Sequence, residues 1–313
     1  MRRDVDDDSK KREYCRIVDD DDDTFPQNRI SVRYPQFVGS SYGLLCFTGF
    51  YLGEDDDCYN RYIIWNPSIR KSVTIDVPYY KHVVVGFGVC PKSLDPKIVR
   101  IKIFKVPYDY NLGDTHMVWR VKVFTLNGGV WRRPLTKLPS KWFNVYVLCQ
   151  TPVVVNGLIY WPAYCTRDNM IVSFDLETEE FTKIHVPSKV ARRGFEIFKL
   201  RESIGTVRSG SKGRYVVWLM DYVSKSFIKL YTFSTLQVGH WNWKVVGFRD
   251  NDQLIIEKNG EYLLKNGVDR YVNEQPELVA YEPNAKQFNH LGFYFGCYSF
   301  TSYTESLLLL DQR

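Results

Sequence analysis

The sequence predicts an all-β chain, a β-propeller of about six blades, with five and seven as the neighbouring counts. Three observations lead there. Short runs alternate apolar and polar residues, as in Arg100-Ile101-Lys102-Ile103-Phe104 and Arg120-Val121-Lys122-Val123-Phe124, which is the period of a half-buried strand. Aromatic residues make up 16% of the chain, with 22 Tyr and 19 Phe, and flat side chains pack well on a pleated sheet. A strand–turn–strand unit also recurs, its turns about 45 to 60 residues apart. Four-stranded blades repeat every ~40–50 residues, whereas the hairpin signals of a sandwich recur every ~8–12.

Residues 1–36 are polar and carry two acidic runs, Asp6-Asp7-Asp8 and Asp19 through Asp23. Adjacent carboxylates repel one another and do not pack, so a loosely ordered N-terminal segment is expected here, with the propeller domain over 37–313. A calcium loop would place glycine between its acids, and these runs have none. The first apolar strand is expected at Gly43-Leu44-Leu45-Cys46-Phe47, and Asp55-Asp56-Asp57 reads as a hairpin tip.

Five copies of the recurring unit follow. Tyr62-Ile63-Ile64-Trp65 turns at Asn66-Pro67-Ser68 into Arg70-Lys71-Ser72-Val73. Val121-Lys122-Val123-Phe124 turns at Asn127-Gly128-Gly129 into Val130-Trp131-Arg132. Ile171-Val172-Ser173-Phe174-Asp175 turns at Glu177-Thr178-Glu179 into Phe181. Tyr215-Val216-Val217-Trp218-Leu219 turns near Asp221 into Ser226-Phe227-Ile228, and Leu278-Val279-Ala280-Tyr281 turns at Glu282-Pro283-Asn284. Asn, Asp, Gly and Pro suit such corners because they tolerate positive φ, preset φ or bind a local amide. A second hairpin kind precedes each copy. It is signalled most strongly by Asn156-Gly157 and Asn259-Gly260. Innermost strands are expected at 44–47, 83–87, 153–155 and 204–207, all apolar. The best helical candidate, at 191–200, is weak. Four leucines at 307–310 are too apolar for a free tail. They predict a buried strand over 305–310 in the blade that holds 43–47, closing the ring.

Several segments in this order resemble the plant F-box-associated domain: Gly43-Leu44-Leu45-Cys46, Trp65-Asn66-Pro67 with Arg70-Lys71, Gly86-Phe87-Gly88, Trp131-Arg132, Asn156-Gly157 through Trp161, Phe174-Asp175-Leu176, Trp218 with Asp221, and Tyr303-Thr304-Glu305-Ser306-Leu307. The resemblance covers about residues 38–310. It implies a kelch-like propeller that recognises target proteins for SCF-type ubiquitin ligases. It also implies an N-terminal F-box, a leucine-rich helical unit that binds the Skp adaptor. No leucine precedes Leu44 and the one Leu-Pro pair is Leu138-Pro139, so this chain is not expected to bind that adaptor itself.

Other chemistry is not indicated. No 18-residue apolar run is present, so no membrane span is expected. The basic N-terminus lacks the apolar run of a signal peptide. The seven cysteines are widely spaced, without Cys-x-x-Cys, and read as reduced thiols of a cytoplasmic or nuclear protein. The net charge of +6 is scattered rather than striped, which argues against nucleic acid as partner. His82, His116, His185, His240 and His290 stand alone, so neither a metal nor a catalytic base is expected. Gly86-Phe87-Gly88 leads into a strand and not a helix, which excludes a phosphate loop. Asp175, Glu177, Glu179 and Glu180 read as solvated turn residues, and tryptophans near strand ends read as packing between blades.

Two functions remain. One is a binding module whose loop face holds a protein partner, with no cofactor. The alternative is a glycoside-type hydrolase, which would line its channel with carboxylates. The expected innermost strands have none, so the binding module is favoured. Gly43, Leu44, Leu45, Cys46, Trp65, Asn66, Pro67, Trp131, Trp161, Asp175 and Trp218 are expected to be structural.

Overall fold

The computed structural model describes residues 2–3, 13–14, 33–52, 58–80, 83–105, 117–136, 146–147, 152–164, 169–190, 195–210, 213–235, 241–249, 251–265, 268–272, 275–294 and 300–309. Apart from a short pair, Arg2–Arg3 with Glu13–Tyr14, their strands form five antiparallel sheets in chain order. Blade 1 is Arg33–Ser41, Leu44–Leu52, Cys58–Asn66 and Lys71–Pro78. Blade 2 is Val83–Val89, Pro96–Lys105, Met117–Thr125 and Trp131–Arg132. Blade 3 is Val153–Val155, Leu158–Tyr164, Asn169–Asp175 and Phe181–Val186, with Tyr146–Val147 also pairing on the second strand. Blade 4 is Phe198–Leu200, Ser203–Ser209, Arg214–Met220 and Phe227–Ser234. Blade 5 is Trp241–Phe248, Leu254–Lys265, Glu277–Glu282 and Gln287–Phe293, with Val268–Val272 folded back on the long second strand.

The count is therefore five, not about six. Each recurring unit is the outer hairpin of one blade, so five units make five blades. The apolar segments at the two chain ends do not make a sixth. The strand pair around Leu44 is the inner half of blade 1, and the tail is not a strand. Val83–Val89 and Val153–Val155 are innermost, but 44–47 and 204–207 lie in second strands, just outside the innermost strands Arg33–Ser41 and Phe198–Leu200. The true inner strands are shorter or more polar, so the apolar pattern pointed one strand too far out. Arg33–Ser41 also crosses the expected boundary at 36/37.

Turn geometry explains the repeat. Tyr42-Gly43 and Asn156-Gly157 both have positive φ at the two central residues, 49° and 74° in the first and 48° and 75° in the second. That is the twist-matched two-residue hairpin turn. The outer hairpins each place one residue in the left-handed region: Arg70, Gly129, Glu179, Lys225 and Lys286. In blades 2, 3 and 4 this residue donates its amide to the carbonyl four residues earlier, on Thr125, Asp175 and Asp221, at 2.9 Å each. Blade 2 is thus anchored on Thr125 rather than Asn127. Asn259-Gly260 is not a turn. It lies within Leu254–Lys265, where the register slips opposite Trp241 and Asn242, and a lone strand glycine marks such a bulge. Residues 195–200 of the helical candidate carry no helix, and Phe198–Leu200 is a strand.

Apolar layers between successive blades form the core. Trp161 and Leu176 of blade 3 press against Gly86 and Gly88 of blade 2, where any Cβ would clash. The Gly86-Phe87-Gly88 spacing therefore serves blade packing: both glycines face blade 3, while Phe87 points into the layer against blade 1.

Candidate partner-binding surface

The innermost strands of blades 1, 3, 4 and 5 and their flanking turns, with residues 300–304, line a pocket of about 580 Å³. Ser40, Ser41, Glu196, Lys199, Lys244 and Thr301 bring polar groups to its wall. Burial raises the Glu196 pKa, against the opposing pull of Lys244. None of the five innermost strands contains Asp or Glu, and no group of three or more potential metal ligands exists among the described residues. The carboxylates of the wall, Glu196 and Glu202, flank the innermost strand Phe198–Leu200 of blade 4, and no acid–base pair of the kind glycoside hydrolysis needs comes from equivalent positions of successive blades.

The face built by the inner and outer hairpin turns is held by a polar network. Burial alone would raise the pKa of Glu179, yet it is held at about 2 because hydrogen bonds from Arg132, Lys97 and the Leu135 amide outweigh that cost. The bonds run from Arg132 Nη1 at 2.7 Å and Nη2 at 2.5 Å, Lys97 Nζ at 2.9 Å and Leu135 N at 2.9 Å. Glu179 is fully buried, which corrects the expectation of a solvated turn residue. Its neighbours Glu177 and Glu180 are exposed. Sequence offered one signal for Glu179, namely its place at the turn position that glycine occupies in blade 2. Further along the face, Arg201 pairs with Asp252 at 2.5 Å, joining blades 4 and 5, and within blade 5 Gln253 donates to Glu282 at 2.5 Å.

The expected structural residues fall into three groups. Around the ring seam, Gly43 lies so close to Thr304 and Ser306 that a Cβ would collide with both. Leu44 and Cys46 sit in the layer shared by blades 1 and 2, which also takes in Leu309, and Leu45 packs with Trp65 and Phe47. Asn66 is fully buried. Its Nδ2 donates to the Ser306 and Leu308 carbonyls at 2.8 and 2.7 Å, while its Oδ1 accepts from the Ser68 amide at 2.9 Å. Half-buried Pro67 makes the corner.

The expected tail strand is corrected here. Residues 300–309 are not in a strand, Leu307 is 70% exposed, and Leu309 is buried; Leu310 lies outside the described residues. The segment nevertheless lies between blades 5 and 1, with Phe300 against Gly247, Thr301 Oγ1 bonded to Ser40 Oγ at 2.8 Å, and Tyr303 bonded to Ser68 Oγ. A side-chain amide thus does what a strand ladder was expected to do.

Trp131, Trp161 and Trp218 form the second group, at blade interfaces. Trp131 of blade 2 lies against Tyr62 of blade 1, and Trp161 of blade 3 donates Nε1–H to the Val85 carbonyl of blade 2 at 3.2 Å. Trp218 of blade 4 packs on the layer holding Tyr160 and Ile171 of blade 3. Asp175 stands alone as a turn anchor, its Oδ1 accepting from the amides of Glu177 and Thr178 at 2.7 and 2.9 Å. His185 and His290 are exposed, and His290 pairs with Glu277. His82, His116, His240, Asp55-Asp56-Asp57 and the acidic runs of the N-terminal segment lie outside the described residues.

Residues 5–281 match the model of the F-box associated beta propeller domain. The chain is 27% identical over 306 residues to F-box protein At3g07870 of Arabidopsis thaliana, covering 85% of this chain and 68% of that protein. It is 21% identical over 237 residues to F-box protein At1g67130 of the same plant, covering 72% of this chain and 47% of that protein. Among solved structures, "Structure of YjhT" aligns over 86% of each chain at 10% identity and a TM-score of 0.48. With its five blades and a family match over residues 5–281, this protein belongs to the F-box associated β-propeller family.

Proposed function

We propose that the chain is a non-enzymatic protein-interaction module, the target-recognition part of an SCF-type ubiquitin ligase assembly. The observation that carries this reading is the propeller itself, of a family found in F-box proteins, with innermost strands free of carboxylates. A ring held by buried inter-blade bonds can present loops and strand faces to a partner with little reorganisation on contact. The hydrolase alternative is not favoured, because the sequence relatives are F-box proteins.

The family's kelch-like character, its link to ubiquitin transfer and its place in the cytoplasm or nucleus belong to the same proposal. Free thiols at Cys46, Cys58 and Cys90 are consistent with a reducing compartment. Binding to a Skp adaptor is not assigned to residues 1–36, which carry no leucine. No cofactor, nucleic acid or membrane enters this function. The test is saturable capture of a protein from plant extract by the immobilised full chain. Recovery of a bound protein that competes with free chain supports the reading, and turnover of a glycoside by the pure chain contradicts it.

A further inference from the structure

Blade 2 carries an arrangement that folding alone disfavours. On the side of its second and third strands facing blade 1, Arg100 stands directly opposite Lys122, and Lys102 directly opposite Arg120. Like charges at directly opposed positions destabilise a sheet. Among the described residues, the blade 1 side chains in the apolar layer shared with this face are Tyr62, Ile64, Ile75 and Val77, none of them charged. No ion pair joins any of the four cations to a carboxylate among the described residues.

Arg100 is the sharpest anomaly. It is only 8% exposed, and its Nε is buried without a hydrogen-bond partner. Its guanidinium lies instead among three rings, 5.3 Å from Trp131 and 5.7 Å from both Tyr62 and Tyr80. Ring faces attract a cation but leave its N–H groups unpaired, and an unpaired buried charge is costly. The ladder continues outward. Lys102 Nζ sits 3.7 Å over Tyr80 and 4.7 Å from Phe104, and Arg120 lies 4.8 Å over Phe104. Arg120 and Lys122 are exposed, and Tyr80 is 45% exposed.

Resting on the target-recognition reading, we propose that this side of blade 2 docks an acidic, extended segment of the partner protein. Its carboxylates would pair with Arg100 and Lys102, while Tyr80 and Trp131 would pack against its backbone. The register follows from geometry. Residues two apart on a strand lie about 7 Å apart on one face, so Arg100 and Lys102 match acids at alternate positions of an extended peptide. A guanidinium fork seats a carboxylate in two parallel bonds, and buried Arg with Tyr and Trp is the usual composition of an interface hot spot. Nucleic acid fits less well, because a phosphate backbone is tracked by a long row of exposed cations, and this block is compact and partly buried.

The test is fluorescence anisotropy with the full chain and a labelled peptide of about ten residues carrying Glu at alternate positions. Controls are the Gln version of the peptide and a single-stranded oligonucleotide of equal net charge. Binding of the Glu peptide should be at least about tenfold tighter than binding of either control. The double variant Lys102→Gln/Arg120→Gln should lose about tenfold in affinity and flatten the salt dependence. Its melting temperature should equal or exceed the parent's, since like-charge repulsion is relieved. Equal binding of the Glu and Gln peptides, tighter binding of the oligonucleotide, or a variant that melts lower and binds as before overturns the proposal. So does a large gain in affinity when Asp19 through Asp23 are changed to Asn, which would show that the chain's own acidic run fills the site. If peptide binding fails while partner capture persists, the recognition reading stands and only this site falls.

Discussion

The carboxylate of Glu179 in blade 3 accepts two hydrogen bonds from the Arg132 guanidinium of blade 2, at 2.5 and 2.7 Å, while fully buried. Lys97 adds a third at 2.9 Å. These bonds tie blade 3 to blade 2, and they depend on Glu179 being ionised.

The sign of its pH dependence follows. The folded-state pKa of about 2 is below the ordinary 4.5, so the stabilisation is complete above about pH 4.5. It is lost as pH falls toward 2. Glu179→Gln should cost about 3–5 kcal/mol at neutral pH, because two cations lose a buried partner. Melting curves of parent and variant should be well separated at pH 7 and converge as pH falls. Curves that stay parallel to low pH would show that the charge is not the tie.

Asn66→Ala should loosen the ring seam. It removes the donor to the part-buried Ser306 and Leu308 carbonyls, a loss of about 1–3 kcal/mol in all. Limited proteolysis should cut the variant within 300–309 faster than the parent. Asn66→Asp should be no better, since a carboxylate cannot donate to those carbonyls. Parent-like cleavage in both variants would contradict the clamp.

Trp65→Ala should cost about 3–5 kcal/mol, the usual result of truncating a large core aromatic. Trp65 is 3% exposed and packs with Leu45, Phe47 and Ile63. Denaturant melts read this directly. A variant that melts like the parent but loses its partner would move Trp65 from the core to the binding surface.

Removing residues 304–313 should lower stability across all five blades, because the seam between blades 5 and 1 runs through this segment. Hydrogen exchange should rise in blades 2 to 4 as well as at the seam. Protection lost only near blade 1 would mean that the ring is not cooperative.

Much of this architecture was legible in the sequence for a physical reason. Outer hairpins turn on residues with distinctive backbone needs, so Asn66, Asp175 and Asp221 mark blades directly. Inner strands carry weaker marks: Phe198–Leu200 is three residues long, and Arg33–Ser41 has too few apolar residues to stand out. The seam was hidden because a side-chain amide replaces a strand ladder, and no periodicity reports that. Glu179 and Arg100 were hidden because charged residues read as solvent-facing. Burial of a charge depends on partners distant in sequence: Arg132 is 47 residues from Glu179, and Tyr62 lies a blade away from Arg100.

The most direct test of the central claim is quantitative copurification from plant extract with the full chain as bait, alone and carrying a grafted F-box. The recognition account predicts one or a few proteins retained saturably by both forms, with the Skp adaptor joining only the grafted form. Loss of those proteins on changing Lys102 and Arg120 to Gln would further place their contact on blade 2. Retention of no protein above an unrelated propeller, or adaptor binding by the ungrafted chain through residues 1–36, would contradict the account.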